Sequence, residues 1–181
     1  MVTSSEWFSP TRLSGLAAYA ISFLACVTRF VYCRTKCRNR CVSVRLFALM
    51  ALVQFSLLLD LAFNWRWIVH DSAVSVATEL GVYDERFMPQ VLALLALFLV
   101  LTLSSALIFS KFHGRIGVAL TLTGTLLSVG LWCCEVISYH SMDAVFYYLV
   151  GKVMAVSLAW IGVASVICFG VWFDSWSHPC E

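Results

Sequence analysis

The stretch Gly130–Lys152, GLWCCEVISYHSMDAVFYYLVGK, decides how the chain is read. Two long apolar segments meet there at a short polar corner, and Glu135, His140, Asp143 and Lys152 stand in or beside hydrophobic sequence. Ionisable side chains in such surroundings are costly, which makes them candidates for a functional site. A corner this short forces antiparallel neighbours. The reading therefore expects a fourth membrane span over 116–139 packed against a fifth over 144–173.

Composition points the same way. Of 181 residues 61% are hydrophobic and 12% charged, whereas soluble domains carry charge on about a quarter. Mean hydropathy is +0.89. A formal net charge of +2, with the basic residues concentrated in one short segment rather than spread over a face, argues against nucleic acid as a partner. Eight cysteines would suggest a disulfide framework in a small secreted protein, but most fall inside or at the edge of apolar runs. They are expected to be reduced, buried small hydrophobes. The first residues lack the positive region of a signal peptide, so the first apolar run is expected to remain in the mature protein.

Towards the N-terminus, Ser9 and Pro10 read as an N-cap and first helical residue before an apolar run over 13–32. About twenty such residues span a hydrocarbon core, and Arg29 near the end of the run is expected to snorkel to the interface. Ser14, Ala18, Ser22 and Cys26 recur every fourth residue, a small-residue stripe that admits a neighbouring helix. A second span over 46–65 carries Gln54, Asp60 and Asn64, the last two one helical turn apart. A loop with a short surface helix, opened by Asp71 or Ser72 and stopped at Gly81, leads to a third, almost uniformly apolar span over 90–110.

Two acid-free basic segments set the expected orientation. The stretch 33–45 contains Arg34, Lys36, Arg38, Arg40 and Arg45, and the turn 111–115 contains Lys111, His113 and Arg115. The positive-inside rule places both in the cytoplasm. The expected fold is thus an all-α integral membrane bundle of about five transmembrane helices, N-terminus outside and C-terminus cytoplasmic, in a plasma or bacterial inner membrane. The stretch 33–45 would touch anionic lipid headgroups.

The candidate polar pocket consists of Asp60, Glu135, His140 and Lys152. By helix rise Glu135 lies roughly 6 Å, Asp60 roughly 7 Å and Lys152 roughly 12 Å inside their span ends, all in the outer half of the bilayer. Lys152 is expected to pair with Glu135 across the hairpin, or with Asp60. Weak metal candidates are His70, Asp71, His140 and Asp143, which share the outer face but lack a ligand-spacing motif. Haem ligation by His70 and His140 has less support because both lie at or beyond helix ends. Adjacent Cys133 and Cys134 lack the spacer of a thiol redox pair. No cofactor is specified by these patterns. Two functions fit: a small non-enzymatic module, either a subunit beside partner membrane proteins or a carrier, or a membrane-embedded enzyme, metal-dependent in one version, acting on a lipid or lipid-linked substrate at the outer face.

Overall fold

The structure, a computed structural model, describes residues 9–36, 41–137 and 140–177. Its elements are α1 (Pro10–Lys36), α2 (Cys41–Phe63), α3 (Trp65–Glu79), a 3-10 turn (Tyr83–Glu85), α4 (Phe87–Lys111), α5 (Ile116–Ile137), α6 (His140–Phe146), β1 (Leu149–Val150), β2 (Val153–Met154) and α7 (Ala155–Ser177). Five helices, α1, α2, α4, α5 and α7, are long and apolar enough to cross a membrane.

Four of these form the bundle: α1 packs on α2 and α7, and α5 packs on α7 and α2. Two apolar clusters show the directions. Cys26 and Cys33 of α1 meet Phe47 and Met50 of α2, Val118 of α5 and Ile167 and Val171 of α7 at one end. Ala18 and Tyr19 of α1 meet Leu57 and Leu61 of α2 and Val156 and Trp160 of α7 at the other. Thus α1 and α2 run antiparallel, and α1 and α7 parallel. Between the clusters, Gln54 donates to Ser128 at 3.2 Å, a polar tie between α2 and α5.

The buried face of α1 follows Gly15, Ala18, Ser22, Cys26, Arg29 and Cys33. The small-residue stripe therefore faces the bundle from Ala18 onward, and Arg29 continues it instead of reaching outward. Tight approach elsewhere rests on glycine. A Cβ at Gly117 would fall on the backbone of Asp174, and one at Gly170 would lie 2.6 Å from the Thr121 hydroxyl, so α5 and α7 meet almost backbone to backbone. By contrast α4 buries no residue in its apolar window and leans on α5 from outside the bundle.

The second span ends earlier than its apolar run. Asn64 takes the left-handed conformation, φ 59° and ψ 33°, and turns the chain into α3. Asp60 and Asn64 therefore do not share a continuous helix face. The helix α3 begins at Trp65, not at Asp71 or Ser72. It closes at Gly81, φ 69°, where Val82 N–H bonds the Ala77 carbonyl.

The expected span over 144–173 is corrected at its start. A helix of about two turns, α6, is followed by a two-stranded hairpin, β1 against β2, with Val150 opposite Val153. Gly151 at φ 68° opens the two-residue turn and Lys152 completes it, the glycine-first pattern of tight hairpins. The long helix begins only at Ala155.

Candidate functional site

The site is built where α2, α3, α5 and α7 converge. Asp60 stands in the last turn of α2, Glu135 in the last turn of α5 and Trp160 in the second turn of α7. The reversal at Asn64 brings Arg66, the second residue of α3, back over Asp60. Arg66 Nε donates to Asp60 Oδ2 at 2.8 Å, with Nη2 2.7 Å from the same oxygen. Arg66 Nη1 donates to Glu135 Oε2, and Trp160 Nε1 donates to Glu135 Oε1 at 3.1 Å. All four residues are buried, Arg66 at 3% exposure and Asp60, Glu135 and Trp160 at 6% each.

Such burial is tolerable only because the charges meet. Desolvation opposes the charge of Arg66, but Glu135 and then Asp60 outweigh it and hold the guanidinium above its ordinary pKa. The Arg66 guanidinium also lies 5.8 Å from the Trp160 ring centroid, a cation–π contact. At the same end Arg12 Nη2 donates to the carbonyls of Leu61 at 3.2 Å and Ala62 at 2.7 Å, satisfying acceptors that the end of α2 leaves open.

A second ionic cluster lies at the opposite end. Asp174 of α7, fully buried, accepts from Arg29 Nε at 3.0 Å and Nη2 at 2.8 Å, and from Arg115 Nη2 at 2.8 Å on its other oxygen. Arg29 therefore does not reach outward from the bundle but is buried in it, tying α1 to α7.

Of the expected pocket residues, Asp60 and Glu135 are joined through Arg66. Lys152 is exposed in the hairpin turn and makes no ion pair among the described residues, so its expected pairing with Glu135 or Asp60 is corrected. It stands in a tight turn rather than one-third of the way down a helix. The side chain of His140 lies outside the described residues. His70 Nδ1 lies 3.1 Å from the Val136 carbonyl, with its ring edge-on to Trp67. Asp71 is exposed on α3, and Asp143 is half-buried in the first turn of α6. No three His, Cys, Asp or Glu side chains converge on one point among the described residues.

The reading from sequence missed Arg66, Trp160, Arg115 and Asp174. Arg66 had one legible signal, a cation directly after a span that contains an unpaired carboxylate. Its six-residue distance from Asp60 hides the contact, because those positions lie on different faces of any straight helix.

Five apolar helices of spanning length mark the class, a multi-pass membrane protein. No family model, curated protein or solved structure matches the chain.

Proposed function

We propose that the chain is a small non-enzymatic membrane module, a subunit of a larger complex or a carrier, with a polar pocket around Asp60, Arg66 and Glu135 in the outer half of the bilayer. One observation carries this reading: both oxygens of Glu135 are engaged, by Arg66 and by Trp160. The carboxylate that a catalyst would use as a base is spent on holding α3 and α7 to α5. The basic residues Arg34, Lys36, Arg45, Lys111 and Arg115 fall at the Asp174 end. By the positive-inside rule that end is cytoplasmic, in a plasma or bacterial inner membrane, and the stretch 33–45 meets anionic headgroups.

An enzyme would need His70 and Glu135 open towards one substrate position. His70 instead lies against the Val136 carbonyl. The test is complementation of a strain lacking the chain. Variants His70→Ala, Asp71→Asn and Asp143→Asn at undiminished protein level should restore growth or morphology as the wild type does, and Arg66→Met should fail. Loss of function in the His70 or Asp71 variant, with protein level unchanged, would move the reading to the enzyme.

A further inference from the structure

Between α2, α3 and α5 the bundle leaves a cleft of about 480 Å³. Val129 and Trp132 of α5 wall it on one side and Leu52 and Ser56 of α2 on the other, while Trp65 and Val69 of α3 stand at the end next to Asp60. Leu52, Ser56 and Asp60 are spaced by four along one face of α2, so the cleft follows that helix for about 12 Å. It opens sideways. Leu52, Trp65 and Val69 are about half exposed, on a surface that a multi-pass bundle turns to lipid.

The lining decides what can enter. Ser56 Oγ donates to the Leu52 carbonyl at 3.0 Å, and Asp60 is buried with Oδ2 held by Arg66. The indole nitrogen of Trp132 is buried as well. A sugar, a peptide or an ionic headgroup placed here would surrender its water with little in return. Water itself lacks the two to four polar partners that hold it inside proteins. Left empty, the cleft would deprive its lining of dispersion contacts on one side. Size excludes a partner's helix. At about 10 Å across, a helix would need roughly 900 Å³ over the same 12 Å, about twice the space, so it would stay mostly outside and leave the cleft unfilled.

We propose that the cleft is a lipid-chain site, holding the acyl chain of a phospholipid from the leaflet at the Asp60 end, entered from the side and recognised through its hydrocarbon alone. The site goes beyond the polar-pocket reading and uses none of its ionic contacts. The headgroup stays outside, and burial of methylene groups against Leu52, Val129 and Trp132 supplies the affinity.

The test uses the full chain in maltoside detergent, titrated with phosphatidylcholine that carries a photoactivatable diazirine in the middle of one acyl chain. Crosslinks are mapped by peptide mass spectrometry. Labelling should saturate at one lipid per chain and concentrate on 52–57 of α2 and 129–132 of α5. Little should fall on α4, whose apolar window buries no residue. The same probe with a phosphatidylglycerol headgroup should bind within about twofold, because no polar group reads the head. Ser56→Phe, at an exposed position on the cleft wall, should keep the wild-type thermal midpoint in lipid-free detergent. It should weaken labelling about tenfold or more, the order expected when an added ring occupies the space of the chain. Labelling spread evenly over α2, α4 and α5, a strong headgroup preference, or unchanged labelling of folded Ser56→Phe each overturns the proposal. Displacement by excess cholesterol but not by excess unlabelled phosphatidylcholine overturns it too, in favour of a fused-ring lipid. If Ser56→Phe does not fold, the wild-type map and the headgroup comparison still decide. Complementation by the His70 and Asp71 variants is unaffected by any of these outcomes, so the two readings fail separately.

Discussion

One guanidinium held between two carboxylates makes unequal demands on its partners. Arg66→Met would leave Asp60 and Glu135 buried without a counter-charge, at a cost of about 3–5 kcal/mol, read as a lowered thermal midpoint in detergent. Asp60→Asn leaves Arg66 paired one-to-one with Glu135, so its cost should stay within about 1 kcal/mol. Adding Glu135→Gln to Arg66→Met should return part of the loss, a coupling of about 0.5–3 kcal/mol. Strictly additive losses would show that the two side chains do not share an interaction. Asp60 and Glu135 were legible because a carboxylate inside an apolar run must be compensated. Their partner was not, since the contact depends on the reversal at Asn64, where φ is 59°. The same limit concealed Asp174, which reads as the start of a polar tail but is the last inward position of α7.

At the scale of elements, long apolar runs announce themselves and short irregular ones do not. The residues 144–150, AVFYYLV, are apolar, aromatic and β-branched, a composition that suits strand and helix equally over so few positions. Only Gly151 distinguishes the two, and its φ of 68° ends the run in a hairpin. Two substitutions test that turn. Lys152→Met, at an exposed position, should change stability by no more than about 0.5 kcal/mol. Gly151→Ala should cost about 1 kcal/mol, because the added Cβ disfavours positive φ. Glycine also separates the bundle seam from its lipid face. Gly170→Ala puts a methyl against Thr121 and the Gly117 carbonyl and should cost about 1–3 kcal/mol, whereas Gly162→Ala meets nothing within 4 Å and should be neutral or slightly stabilising. Thermal midpoints of the pair in one detergent make the comparison. Equal effects would mean that α5 and α7 do not approach at Gly170.

Across the whole molecule, charge is stored at two ends. Arg12 and Arg29 lie seventeen residues apart on α1, which by helix rise separates the two ionic regions by roughly 25 Å, slightly less than the hydrocarbon thickness of about 30 Å. A bundle centred in such a layer would hold each cluster just inside one edge, where pairing is needed but water is near. The Asp174 end adds surface cations, with Arg34, Lys36, Arg45 and Lys111 exposed there. The Asp60 end has the Trp65 and Trp67 side chains, suited to an interfacial belt. That asymmetry predicts which end faces the cytoplasm. Ser75 on α3 and His113 after α4 are both exposed and stand at opposite ends of the bundle. In a cysteine-free background, Ser75→Cys should react with an impermeant maleimide added to intact cells, and His113→Cys only after permeabilisation. The reverse pattern would keep every helix contact described here but turn Asp60, Arg66 and Glu135 towards the cytoplasm.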